Sequence, residues 1–464
     1  MLATETLPPN YVMAAGRSSV TVAGNNVTAS VPMSPPVSIP PNPAAMLGSF
    51  NRYIYWDGLS FTATVHPLIM ERYIFYGLDA YQGVSPIGGV ISATPNLSSN
   101  FTFNITADFT IPYPSTSYGD DLYIEMPGIC KSNAVKIWHK VEDATLSGFT
   151  FITGEKYILI EDANFVTGST PLVLPANAVF DGNKKKITVN TPAVTNTYYG
   201  LFETNSGIIQ NLKIDGTINP ASFPPLLSGT ALVLGAIAGR NTGTIKNVSS
   251  TATIDLTYND SPQVGGLVGR NQGTIINCYV DATLKNTSTA DPIYLGSIAM
   301  NNNGGTIQNC WASGDFTIIY TNAAFSTNNM GGIAVSNLSG AIANCVALRP
   351  NMIFSISNGS RNVYNIAGSA GSYNNNHIAD ETLHYDDNGT PTQITTSGSH
   401  NNSDGAILLS SNAGSEDWWK TSGVGWGNAT IDAWGGADED HPWVWDNRTG
   451  SPTQNLPVLW FELP

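Results

Sequence analysis

The sequence predicts an all-β chain dominated by a parallel β-helix, and three observations carry that prediction. The stretch Val264 to Tyr279, VGGLVGRNQGTIINCY, recurs in imperfect copies at Tyr198 to Lys213, Leu234 to Ser249, Leu295 to Trp311 and Gly331 to Val346. Aligned on their second halves, the copies place asparagines at 211, 247, 277, 309 and 344, spaced 36, 30, 32 and 35 residues apart. Self-similarity at such a period marks a solenoid or repeat array. Each copy holds two short runs of Ile, Val, Leu and Thr between Asn/Gly turns, and none reaches the length of helical periodicity that a helical repeat requires. The coils are therefore expected to be strands.

Gly207, Gly243, Gly273, Gly305 and Gly340 precede the second apolar run of each copy, where a sharp corner or a close approach of backbones suits glycine. Asn211, Asn247, Asn277, Asn309 and Asn344 then fall at one site of five successive coils. In a parallel β-helix such residues stack about 4.8 Å apart, and their amides bond along the stack as a structural ladder. The next site holds Leu212, Val248, Cys278, Cys310 and Cys345, thiols alternating with aliphatics as a small buried hydrophobe does. With Cys130 far away in sequence and no metal-ligand spacing, all four cysteines are expected to be unpaired core thiols. No metal and no cofactor is expected.

These residues carry a resemblance. GGLVGRNQGTIINCY resembles the GLUG repeat of bacterial surface proteins, including adhesin-like proteins and immunoglobulin A peptidases, over residues of about 150 to 400. The resemblance implies a β-helical stalk on a secreted or surface-anchored bacterial protein. It does not imply peptidase activity, because in such proteins the chemistry lies outside these repeats.

In chain order, residues 1–145 are expected to form a β-sandwich. Pro32 to Pro43 is an extended run that cannot be a central strand, and residues 53–140 give short strand signals separated by Gly, Pro and Asn turns. The order YIYWDGLSFT, YIFYGLDAY, ISATPN, GDDLYIEMPG and NAVKIWHK resembles the N-terminal domain of Bacteroidetes fimbrillin-type pilins. Asp121, Leu122, Tyr123 and His139 match that family's pattern; IEMPG replaces its small residue, and the usual second sandwich domain is absent. The resemblance therefore implies a pilin-like domain but not polymerisation by strand donation, and His139 is expected to pack or cap.

Residues 146–404 are expected to form the parallel β-helix, right-handed by the crossover rule. Its first coil falls at 150–196, with a hairpin-type turn at Asp181 to Asn183. Leu226 to Ala238, the most apolar window, is too short and glycine-rich to cross a bilayer and reads as core strands. Residues 405–464 hold seven of the ten tryptophans (Trp418, Trp419, Trp426, Trp434, Trp443, Trp445 and Trp460). They are expected to plug the open end of the solenoid as a Trp-rich C-terminal cap. A sugar-stacking platform is the alternative, and Trp418 and Trp419, adjacent and therefore on opposite faces of a strand, are its candidate ligand-binding residues.

Composition fits an exported protein. Only 11% of residues are charged, and 19 Lys+Arg against 34 Asp+Glu leave a net charge of -15. Such a surface disfavours nucleic acid and anionic membrane as partners. Met1 to Asn10 lacks the features of a signal peptide, so any leader or lipoprotein anchor lies outside the given chain. No His-Glu-x-x-His, Gly-x-Ser-x-Gly or phosphate loop occurs; DDNG at 386–389 and DED at 438–440 read as solvated turns. Arg240 and Arg270 are the only stacked charges of the repeats, able to grip an acidic glycan. The expected function is that of a non-catalytic bacterial cell-surface protein, an adhesin or pilus-associated subunit. Its partner would be a surface glycan, a matrix protein or pilin, at the outer membrane or outside the cell. A β-helix polysaccharide lyase or glycoside hydrolase and a purely structural surface subunit are the alternatives.

Overall fold

The computed structural model describes residues 138–464, with short gaps, and for residues 1–137 the backbone of separate strands. The chain divides into two units, Met1–His139 and Lys140–Pro464. In the first, Phe103–Phe109 pairs antiparallel with Phe61–Val65 and with Gly89–Pro95, and Asp121–Met126 with Asp79–Gln82. The expected sandwich, its fimbrillin-like character and Cys130 rest on residues outside the described ones.

The second unit is a parallel β-solenoid. Its central coil comprises β1 (Gln263–Gly265), β2 (Val268–Asn271), β3 (Thr274–Ile276), β4 (Tyr279–Asp281) and β5 (Leu284–Ser288). The next coil repeats them as Tyr294–Gly296, Ala299–Asn303, Thr306–Gln308, Trp311–Ser313 and Asp315–Tyr320, each paired parallel and in register with its counterpart. The β1 and β2 equivalents build two six-stranded stacks. Side chains alternate as a pleat requires: Ile275 and Leu284 are fully buried, while Thr274 and Ile276 on either side of the first and Lys285 after the second face partly outward. Stacked aliphatics, with Cys278, Cys310 and Cys345 unpaired among them, fill the lumen. Leu234 and Ala238 of the most apolar window are part of that core.

The glycine column has a steric cause. A Cβ built on Gly273 would stand 2.0 Å from the carbonyl oxygen of Gly243, and one on Gly243 2.1 Å from that of Gly207. Backbone meets backbone there, so no side chain fits. The asparagine column has two causes. Asn211, Asn247, Asn277, Asn309 and Asn344 all sit at φ between 53° and 55°, apart from Asn309 at 51°. This left-handed bend between β3 and β4 is one that Asn adopts far more readily than most residues. Their amides also join, with Nδ2 of Asn247, Asn309 and Asn344 donating to Oδ1 of Asn211, Asn277 and Asn309 at 3.2, 3.2 and 3.0 Å. The column gains a further rung at Asn375, which donates to Asn344 at 3.0 Å. It is interrupted once: Asn247 Oδ1 is buried without a partner.

A second ladder escapes the sequence reading. Asn205, Asn241, Asn271, Asn302 and Asn337 close β2 and its equivalents, all with no exposed surface. Nδ2 of each of the first four donates to Oδ1 of the next, at 2.7, 2.8, 2.8 and 2.8 Å. This inner ladder donates toward the C-terminal coils; the outer one donates toward the N-terminal coils.

Two expectations are corrected. Asp181 to Asn183 is not a hairpin: Val179–Asp181 and Lys186–Ala193 both pair parallel with Ile208–Ser222, so the segment is a solenoid corner. Asn183 and Lys184 take up positive φ to make the bend, and the buried Asp181 carboxylate ends the outer ladder by accepting from Asn211 Nδ2 and Gln210 Nε2. The tryptophan-rich tail lies along the flank of the solenoid instead of plugging its end. Ala406–Leu408 adds a last strand to the β4 stack beside His377–Ala379. Beyond it the tail packs over Tyr279, Trp311 and Val346 on the outward side of the β4 stack. The flank presents large outward aromatics that need cover, whereas this last strand extends the stack directly.

Candidate ligand-binding surface

The outward side of the β2 stack carries one in-register column: Thr204, Arg240, Arg270, Asn301 and Ser336. All five are partly exposed. Gly239 and Gly269 drop out of the ladder pairing, an irregularity that breaks the in–out alternation, and Arg240 and Arg270 face outward between buried neighbours, Ala238 and Asn241 in one coil and Val268 and Asn271 in the next. Arg240 Nε donates to Gln272 Oε1 at 2.9 Å. Arg270 Nε and Asn301 Oδ1 are buried atoms without hydrogen-bond partners. The structure thus brings together the two arginines that the sequence paired.

Trp418 and Trp419 lie elsewhere. They occupy a single wide helical turn, Trp418–Ser422, where the sequence suggested a strand, and are 8% and 0% exposed. Trp419 Nε1 donates to Ala413 O at 2.8 Å, and Trp418 packs edge-on against His377 and Trp419. Neither offers a ring face to a sugar in this arrangement. The rest of the cluster is held in the same way: Trp426 stacks on Trp443 at 4.6 Å, and Trp311 on Tyr279 at 4.5 Å with parallel planes. Trp311 Nε1 donates to Pro457 O and Trp426 Nε1 to Asn344 O, both at 3.0 Å.

Two carboxylates of the tail, which straps the solenoid flank, tie it down and a third, Asp446, holds it together internally, and sequence reasoning passed over their role. Glu462 accepts from Tyr279 Oη at 2.8 Å and Ser249 Oγ at 2.9 Å, with Lys213 Nζ 3.7 Å away. Burial pushes its carboxyl above the usual range. Glu439, from the acidic run expected to be solvated, accepts from Asn211 Nδ2 at 2.7 Å through Oε1 and faces Lys246 at 3.9 Å. Asp446 is fully buried, gripped by Arg448 Nε and Nη2 at 2.8 Å and by the hydroxyls of Ser451 and Thr453. The Arg448 guanidinium holds its carboxyl well below the ordinary carboxylate range. Among the described residues no group of three or more His, Cys, Asp or Glu is placed to hold a metal ion.

With this geometry in place, comparison with known proteins can be set against one coil. Residues 260–285 match the family model of the GLUG motif. No curated protein and no solved structure matches the chain. The matched GLUG segment spans β1 to β4 and enters β5. Its glycines and asparagines therefore correspond to the close backbone approach at Gly273, the inner ladder at Asn271 and the left-handed bend at Asn277.

Proposed function

We propose that this chain is a non-catalytic bacterial cell-surface protein of the adhesin type, which holds a ligand-binding flank on a rigid β-solenoid outside the cell. The observation that carries this reading is the match of one coil to the GLUG motif within six stacked coils whose outward columns are polar and sparsely charged. Rigidity follows from the construction. Every coil is bonded to the next through its backbone, and four consecutive amide contacts lock the inner edge. The partner is a surface glycan or a matrix protein. A pilus-associated role draws on the resemblance of the front segments to fimbrillins.

The test is an array of glycans and matrix proteins probed with the intact chain, run beside a turnover assay on the same polysaccharides. Saturable binding without product supports the adhesin. Release of reducing ends or unsaturated sugars would make it an enzyme, and an absence of both would leave a structural subunit as the better account.

A further inference from the structure

We infer that the Arg240–Arg270 pair, with Asn301 beside it, is a binding site for an acidic saccharide, a uronate or sulfated sugar within a polysaccharide chain. The inference rests on the adhesin reading and gives that reading its ligand class.

The two arginines stand directly opposite each other on adjacent parallel strands. Neighbouring strands lie about 4.8 Å apart, and like charges placed so are destabilising unless something compensates them. Elsewhere the solenoid and its strap supply that compensation in carboxylates: Lys186 faces Asp215, Lys213 faces Glu462, Lys246 faces Glu439, Lys285 faces Asp255 and Arg448 faces Asp446. No ion-pair partner stands by Arg240 or Arg270 among the described residues. In a chain with 34 acidic and 19 basic residues, two uncompensated guanidiniums in register suit a ligand that brings the missing charge.

The neighbouring atoms narrow the ligand. Arg270 offers guanidinium donors and Asn301 a side-chain amide, both residues partly exposed and one rung apart. An anion alone would satisfy only the first. A sugar acid offers an acidic group to the guanidiniums, which bind such groups through paired hydrogen bonds, and a hydroxyl to the amide. Alongside runs the β1 stack, whose in-register residues Tyr198, Gln263 and Tyr294 are partly exposed while Val233 is buried. A Cβ built on Gly239, the residue before Arg240, would stand 2.8 Å from Tyr198 Cβ, so Tyr198 packs against the strand that carries Arg240. Tyrosine rings suit pyranose faces. The polar track from Thr204 to Ser336 repeats once per coil, a distance comparable with the advance of one sugar unit along a linear polysaccharide.

The experiment is calorimetric titration of the full chain with hexagalacturonate, with the neutral oligosaccharide of equal length and with inorganic sulfate. The same titrations are made on Arg240→Gln and Arg270→Gln. Both side chains are partly exposed, and far-UV circular dichroism and the melting temperature check that each variant folds. The expected result is binding of the uronate, no binding of the neutral chain, and a loss of about tenfold or more for each variant, as removing a charge-assisted hydrogen bond implies. Arg270→Lys should recover part of the affinity. Uronate binding unchanged in both variants overturns the assignment, as does no binding of the uronate. Sulfate binding as tightly as the hexamer would reduce the site to a small-anion site and overturn the saccharide part. Array binding that survives both substitutions would overturn this site while leaving the adhesin reading in place.

Discussion

The Tyr279 hydroxyl donates to the Glu462 carboxylate at 2.8 Å, joining the central coil to the last residues of the chain. Around this contact the strap closes: Ser249 also donates to Glu462, and Trp311, stacked on Tyr279, donates to Pro457. The tail is thereby a structural part of the solenoid flank.

A pH dependence of opposite sign follows for two carboxyls. Burial raises the Glu462 carboxyl above its unfolded value, so its contribution is fully present below the unfolded range and is lost as pH rises through the folded value. Glu462→Gln should therefore gain stability relative to the parent as pH climbs past the usual glutamate range toward neutrality. Urea unfolding from pH 4 to pH 8 reads this; a constant difference would show that the carboxyl titrates alike in the folded and unfolded chain and would overturn the shift.

Asp446 runs the other way. Arg448 depresses its carboxyl, so its stability is present above the unfolded aspartate range and disappears as pH falls through the folded value. Asp446→Asn should flatten the acid limb of tail stability, followed by tryptophan fluorescence, and should destabilise at pH 7 by about 1–2 kcal/mol, because the half-exposed Arg448 that loses its partner stays solvated.

The two ladders predict unequal costs. Asn271→Ala removes the acceptor for Asn241 and the donor to Asn302 at a fully buried site, and should cost about 2–4 kcal/mol. Asn277→Gly keeps the left-handed bend and loses one amide contact at 3.2 Å, so about 1 kcal/mol is expected. Chemical denaturation ranks them, and equal losses would contradict the assignment of the inner ladder as the tighter one.

Gly273→Ala drives a methyl against the Gly243 carbonyl. Backbone on both sides cannot yield cheaply, so the variant should lose about 3 kcal/mol or more, or fail to fold. Gly304→Ala is the control for steric crowding: nothing lies within 4 Å of its built Cβ, and only its positive φ opposes the change.

Cys278, Cys310 and Cys345 are buried and unpaired, and burial pushes the Cys278 and Cys345 thiols up. Native protein should leave all three unlabelled by a bulky maleimide over hours, and urea should release them together. Labelling at a native position, read by peptide mapping, would show that the lumen opens locally.

The coil was readable because each one writes the same message: strand residues, corner glycine and bend asparagine recur at fixed register, and the structure places Gly273, Asn277 and Cys278 where that register put them. The inner ladder was hidden by its context, since Asn241 and Asn271 sit in GRN segments that read as turns, while the structure makes them the buried ends of β2 strands. The tail was misplaced for a different reason. Trp311 and Pro457 are 146 residues apart, and no local pattern says which surface a tryptophan will find. Sequence showed that the aromatics had to be buried; only the fold showed that Tyr279 and Trp311 were waiting for them on the flank.

The opposed directions of the two amide ladders make this architecture extensible. Each coil from Asn205 to Asn337 receives and passes on the same inner-ladder bond, and the outer column, broken only at Asn247, points the other way, so adding a coil accumulates little electrical asymmetry. Duplicating a segment such as Gln263–Ser288 with its connecting loop would lengthen the solenoid by about 4.8 Å and continue the inner ladder through a second copy of Asn271. Reach can thus be set by copy number, and a lineage of such chains can adjust it one coil at a time.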